Sequence, residues 1–437
     1  MTAMPTIPST NLPPQALASA PPTPHRAALA VVTTLFFMWG FLTCLNDILV
    51  PHLKAIFDLN YAQVMLIQFA FFSAYFVFSI PSAKVIDWIG YQKTMVAGLL
   101  TMALGAVLFI PAASVPSFPL FLAALVVLAA GITALQVAAN PYVSVLGPAR
   151  TASSRLNLTQ AFNSLGTFLA PWFGKAFILS TVALGLMEMR QLSPDALHAY
   201  RLHEAATVKL PYLGLAIALL VLGILIGRFK LPAMPAAQHR AGDTSAGSVW
   251  QYRQLVFGTV GIFVYVGAEV AIGSFLVNYF SQSNIGNISE KVAAGFVSYY
   301  WLSAMVGRFI GSAILQKVKT GLLLGIAGLA AATLVCVSML TFGHVAMWSI
   351  ILVGFFNSVM FPSIFTLGIA ELGPLTGDGS GMLVMAIVGG AVIPELQGLL
   401  ADRIGIHHAF ILPVLCYLYI VFYAFQGSKP SVVAKLG

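Results

Sequence analysis

Charge is what this sequence is short of. Only 8% of its 437 residues are Asp, Glu, Lys or Arg, against about a quarter in an average soluble chain. That scarcity excludes a soluble globular protein of ordinary usage. Cysteine is scarce as well: Cys44, Cys336 and Cys416 are odd in number, widely spaced and each set in an apolar run. They read as free, packed thiols, which excludes a disulfide framework and a thiolate metal site. The chain has no phosphate-binding Gly-Lys loop, and its only clustered histidines are the pair His407 and His408, so neither a nucleotide nor a metal site is indicated. No nucleophile and base stand in a constellation that would support an enzyme. Residues 1–26 lack a charged segment ahead of an apolar core. Rich in Pro, Ser, Thr and Ala, they read as a disordered cytoplasmic tail rather than a signal peptide.

What fills the space is hydrocarbon. Some 59% of the residues are hydrophobic and the mean hydropathy is +0.92, the composition of an all-α protein that crosses a lipid bilayer many times. A membrane helix needs roughly 20 apolar residues. About 12 stretches qualify, near 27–50, 61–86, 94–113, 118–147, 156–185, 210–228, 252–281, 292–316, 320–341, 345–372, 378–401 and 409–427. Residues 186–209 form a polar outer loop, and residues 229–250 a polar linker between a six-span half at 27–228 and another at 251–428. A short tail, 429–437, follows.

The net charge of +8 and pI near 9.4 would suggest nucleic acid in a soluble protein. Here they reflect basic residues retained on the cytoplasmic side. With the N-terminus inside, 14 of the 21 Lys and Arg fall at inner ends, among them Lys84, Lys93, Arg150, Arg155, Arg228, Arg308, Lys317 and Lys319, and seven outside. Both termini are therefore expected in the cytoplasm, in a bacterial inner membrane.

The halves repeat. Pro141-Tyr-Val-Ser-Val-Leu146-Gly147 of the fourth span matches Pro362-Ser-Ile-Phe-Thr-Leu367-Gly368 of the tenth, an offset of 221. Pro171 and Pro394 repeat at 223. A parallel six-plus-six repeat is the sequence trace of a major facilitator, whose ligand lies between the halves near mid-membrane.

Acids inside such spans cost several kcal/mol, roughly 2.5–3.5 on insertion scales, and mark ion or proton pathways. Asp47 stands in the first span, and the same offset reaches the neighbourhood of Glu269 in the seventh. Asp47 reads either as a coupling-ion site or as a shallow residue capping its helix or pairing with Lys54, since Pro51 is expected to end that segment. Glu269 reads as a second coupling or ligand carboxylate, or as a structural one bonded across the bundle. Glu395, behind Pro394, is a third acid with a stronger structural reading near the outer end. Amides suit a neutral ligand with many hydroxyls because they both donate and accept. Asn46, Gln136, Asn140, Asn157, Gln160, Asn163, Asn278 and Asn357 lie within apolar spans. Gln136 and Asn140, and Gln160 and Asn163, share helix faces. Trp39, Phe36, Tyr265 and Phe361 offer rings to a sugar face. Each amide alone reads equally well as interhelical glue.

Several of these motifs carry a resemblance: Asn46-Asp47-Ile-Leu, the run from Gln136 to Pro148 containing Asn140-Pro-Tyr, Arg155-Leu-Asn157-Leu-Thr-Gln160-Ala-Phe-Asn163, and Tyr265-Val-Gly-Ala-Glu269. Over residues 30–425 the chain resembles the fucose–galactose–glucose:proton symporter family of the major facilitator superfamily, and its glucose/galactose branch more than its fucose branch. The resemblance implies alternating-access import of a neutral sugar, with the proton handled at Asp47. It also implies departures: Gln136 replaces a glutamate of the fucose branch, and Glu269 an amide. The superfamily's loop motif survives partly in Ala83-Lys-Val-Ile-Asp87-Trp88-Ile-Gly90, so Asp87 is expected to bond a helix N-terminus and gate, with Arg155 as a second gating residue.

The expected sugar site is Asn46, Gln136, Asn140, Gln160, Asn163, Glu269, Asn357, Trp39 and Phe36; the coupling residues are Asp47 and Glu269. No cofactor is expected beyond a coupling proton or sodium ion, and no nucleic acid partner; a monomer suffices. Sodium coupling, of a hexose or of N-acetylglucosamine, and export of another small metabolite are the alternatives, with a membrane sensor more remote.

Overall fold

The structure, a computed structural model, describes residues 23–57, 61–114, 117–177, 191–193, 195–196, 199–200, 209–232 and 248–430. Side chains at 23–25, 46–57, 61–65 and 174–177 fall outside that description, and with them the expectations for Asn46, Asp47 and Lys54. So do most of the expected linker and outer loop, and the N-terminal tail through residue 22.

In hydrocarbon every backbone N–H must find its acceptor within its own segment, so apolar runs become helices. The long ones are α1 (Thr23–Phe57), α2 (Tyr61–Ser114), α3 (Phe118–Val145), α4 (Ala152–Phe177), α5 (Lys209–Arg228), α6 (Arg253–Ser281), α7 (Glu290–Ile314) and α8 (Thr320–Leu340). They are followed by α9 (Gly343–Asn357), α10 (Met360–Gly368), α11 (Thr376–Met385), α12 (Gly389–Ile404), a short α13 (Ile406–Ala409) and α14 (Ile411–Phe422). No strand occurs among the described residues.

Nine stretches among the described residues are long and apolar enough to cross a bilayer, and one of them, Leu66–Ser114, has 49 residues, enough for two crossings. It is interrupted at Gly90, whose φ of 80° lies in the left-handed region that favours glycine. Two further helices of membrane length, α4 and α7, are too polar to be among the nine. With them the crossings reach the twelve the sequence leads one to expect.

The sequence boundaries need three corrections. Pro51 does not end the first span; α1 continues through it to Phe57, as membrane helices tolerate when neighbours re-satisfy the freed carbonyl. The tenth span is broken after Asn357, because Pro362 has no N–H to return to the carbonyl of Ser358. The eleventh is divided between α11 and α12 by a 3-10 turn at Ala386–Val388.

Equivalent helices meet in equivalent ways in the two halves. A Cβ on Gly166 of α4 would collide with the Phe37 carbonyl of α1, and one on Gly389 of α12 with the Phe263 carbonyl of α6. First and fifth spans, like seventh and eleventh, thus approach backbone to backbone, the small-residue contact that stands in for hydrophobic drive in lipid.

The halves close on each other at one end. Lys84 Nζ donates to Asp378 Oδ1 at 2.8 Å. Ser153 Oγ lies 2.6 Å from Thr366 Oγ1 and 2.9 Å from Thr320 Oγ1. Ser154 and Ser312 each donate to the other's carbonyl, at 2.7 and 3.0 Å. Ser380 donates to the Val137 carbonyl at 2.7 Å. All of these lie toward the end where Lys93, Arg150, Arg228, Lys317 and Lys319 are exposed.

Candidate functional site

The two polar helices of membrane length, α4 and α7, face each other across the seam. Asn157 Nδ2 of α4 donates to the backbone carbonyl of Arg308 in α7 at 2.7 Å. The Arg308 guanidinium then reaches back: Nη1 donates to the hydroxyl of Ser164 and, at 3.4 Å, to the carbonyl of Gln160. Its Nη2 stands 4.0 Å from Glu269 Oε1, and both side chains are only 13% exposed. That separation exceeds the 2.7–2.9 Å of a charge-assisted hydrogen bond, and Glu269 Oε1 and Arg308 Nε are both buried without a partner.

The sequence counts Arg308 among the basic residues at the inner end of the span 292–316. The structure places it six positions before Ile314 closes α7, with its side chain largely buried beside Glu269. The signal was present: Val306-Gly307-Arg308-Phe309-Ile310 is a charge in an apolar run, the same feature that drew notice to Asp47 and Glu269.

Behind the pair stands a polar layer. Tyr265, one turn before Glu269 on α6, carries a hydroxyl that donates to the Asn357 carbonyl at 3.1 Å. That carbonyl is one of the orphans left where α9 ends. Asn357 Nδ2 donates to Tyr300 Oη at 2.9 Å, while Asn357 Oδ1, Ser363 Oγ, Tyr417 Oη and both polar atoms of Gln397 are buried without a partner. Sequence reasoning missed Ser164, Tyr300 and Gln397, since a hydroxyl or lone amide in a span is ordinary until its neighbours are known.

On the other half, Gln136 Nε2 donates to Tyr75 Oη at 2.8 Å. Asn140, four residues on, is fully buried with neither side-chain atom partnered. Asn163 Nδ2 donates to the Phe36 carbonyl at 2.9 Å, a bond between α1 and α4. Phe36 and Trp39 are buried with ring centroids 4.4 Å apart. Gln160 is buried, its backbone carbonyl already engaged by Arg308. The Glu395 side chain is exposed, while Gln397 beside it is buried.

Of the gating pair, Asp87 lies 3.5 Å from Lys84 Nζ, which also bonds Asp378 in the first turn of α11. An Asp87 oxygen comes within 3.9 Å of the Cβ position of Gly377, so Asp87 does lie against a helix N-terminus, where the dipole favours an anion. Arg155 is wholly occupied at the end of α3. It donates to the carbonyls of Val143 (3.2 Å), Ser144 (2.7 Å) and Pro148 (2.9 Å) and to the Thr151 hydroxyl (2.6 Å), satisfying orphan carbonyls of a helix C-terminus.

Taken together these groups give a polar layer between two halves sealed at one end, with unpaired donors and acceptors in both halves. Such a layer can hold a small polyhydroxy solute; it holds no cluster of metal ligands among the described residues.

Comparison with known proteins agrees in scale with this architecture. Residues 28–393 match the sequence model of the Major Facilitator Superfamily. A protein of Brucella abortus named glucose/galactose transporter is 52% identical over 402 residues, covering 92% of this chain and 94% of that protein. The L-fucose-proton symporter of Escherichia coli is 36% identical over 409 residues, covering 92% and 93%. The crystal structure of the facilitator FucP in the outward conformation superposes with a TM-score of 0.86 at 33% identity, covering 93% of this chain and 99% of that one.

Proposed function

Since this chain belongs to the major facilitator superfamily, whose members are transporters rather than enzymes, we propose that it imports a neutral hexose-type sugar together with a proton taken up at Asp47. The observation that carries this reading is the sealed polar layer around Gln160, Glu269, Arg308 and Asn357, in a chain half identical to a protein named glucose/galactose transporter. Amides and a carboxylate match the mixed donors and acceptors of a sugar, and an exporter of apolar compounds has little use for them.

With the basic end in the cytoplasm, the hydrogen bonds between the halves close the inner side, and the protein is in its outward-facing state. Sugar enters from outside to Gln136, Asn140, Gln160, Asn163, Glu269 and Asn357, with Phe36, Trp39 and Asn46 completing the site. Neutralisation of Asp47 then lets the halves rock. Coupling requires the ion to change the balance of states, or the sugar's affinity, by about 1–3 kcal/mol.

Uptake of labelled sugars into proteoliposomes, with proton and sodium gradients imposed separately, tests the reading. Accumulation under the proton gradient is expected. Accumulation under sodium alone would keep the sugar and transfer the coupling role to a cation site, with Glu269 the next residue to change. Uptake of no sugar under either gradient would overturn the assignment.

A further inference from the structure

Arg308 is not in the expected sugar site, yet cross-half bonds converge on it. It sits on α7 of the C-terminal half; its own carbonyl accepts from Asn157, and its Nη1 donates to the Gln160 carbonyl and the Ser164 hydroxyl, all on α4 of the N-terminal half. Within its own half its nearest anion is Glu269, which it does not quite reach at 4.0 Å. Resting on the alternating-access reading above, we propose that Arg308 is the clasp of the seam: it is held by α4 when the inner side is closed and transfers to Glu269 when the halves part.

The physics requires a second partner. Opening the inner side separates α4 from α7 and so removes the Ser164 and Gln160 acceptors. A buried guanidinium left without them is costly. Glu269 removes that cost, because it belongs to the same half and travels with Arg308. In the closed state the pair is incompletely made: Glu269 Oε1 and Arg308 Nε are buried and unpartnered. Each state therefore satisfies only part of the guanidinium's five donors, which is what an element with two discrete arrangements needs. Glu269 is thus a positioning residue for the conformational step, whatever contact it also makes with the solute.

The two partners of Arg308 make opposite predictions. Removing the Ser164 hydroxyl removes a bond specific to the inner-closed state; removing the Glu269 carboxylate removes the partner specific to the inner-open state. Spin labels at Arg150→Cys and Lys317→Cys, both exposed at the basic end on opposite halves, report opening by double electron–electron resonance. Cys44, Cys336 and Cys416 are first replaced by serine, and the protein is studied in nanodiscs without solute or gradient. Ser164→Ala is expected to raise the ratio of long to short distances at least about fivefold, and Glu269→Gln to lower it, within the usual range of coupling between two states. In an Arg308→Gln background both effects are expected to vanish, since each acts through the guanidinium. Unchanged distances, shifts of the same sign for Ser164→Ala and Glu269→Gln, or effects that persist without Arg308, overturn the clasp. Wild-type sugar uptake is a separate readout: its absence sinks the symport reading and leaves these distances to stand or fall alone.

Discussion

Lys84 and Asp378 lie 294 positions apart, one in each half, and their side chains meet at 2.8 Å. The contact belongs to the seal between the halves at the basic end, and Asp87 joins it at 3.5 Å. Lys84 is half exposed, so the bond is worth only about 0–1 kcal/mol. Its use is positional: it forms only when α11 is seated against the end of the second span. A short bis-maleimide link between Lys84→Cys and Asp378→Cys is expected to stop transport while leaving solute binding from outside intact. Undiminished uptake by the linked protein would show that this end does not open.

Arg155 fastens the end of α3 rather than contacting solute. Arg155→Gln leaves several buried carbonyls short of donors and is expected to lower stability by about 1–3 kcal/mol. Thermal unfolding in detergent reads the loss; sugar affinity should change little. A large fall in affinity with unchanged melting would instead place Arg155 at the solute.

Gly166 and Gly389 occupy equivalent contacts in the two halves. Val at either position drives a side chain into a neighbouring carbonyl, and overpacking of this kind costs about 1–3 kcal/mol or more. Both variants should lose folded yield on size-exclusion chromatography. A well-folded, active Gly166→Val would show that α1 and α4 do not meet as closely as described.

The Asn357 amide anchors the polar layer by donating to Tyr300. Asn357→Ala removes that donor and leaves the Tyr300 hydroxyl buried, at about 1–3 kcal/mol, and is expected to weaken sugar binding by isothermal titration as well. Asn357→Asp, which keeps an acceptor toward the Tyr300 hydroxyl, should bind better than Asn357→Ala; the reverse order would remove Asn357 from the site.

The sequence made some of this legible and not the rest, for physical reasons. Length and apolarity announced the spans, since the bilayer imposes both. The internal offset tied Pro141 to Pro362, and the break of the tenth span at Asn357 follows from the missing N–H of Pro362. The pairing of Arg308 was missed because counting basic residues ignores burial, whereas an arginine six residues inside a helix with Glu269 nearby is a buried partner. Glu395, whose structural reading is the stronger one, has an exposed side chain; which face of a helix turns inward depends on packing the sequence does not display. Asn163 shows the limit of composition, for the same amide can serve a sugar or, as here, bond the Phe36 carbonyl.

The central claim is that Asp47 is the coupling group. Asp47→Asn and wild type, reconstituted in parallel, should be compared in two assays: uptake against a sugar gradient driven by an imposed pH difference, and exchange of labelled for unlabelled sugar at equilibrium. The account predicts that the variant loses accumulation and retains some exchange, because the sugar path survives when the proton step does not. Accumulation by Asp47→Asn equal to wild type would contradict it.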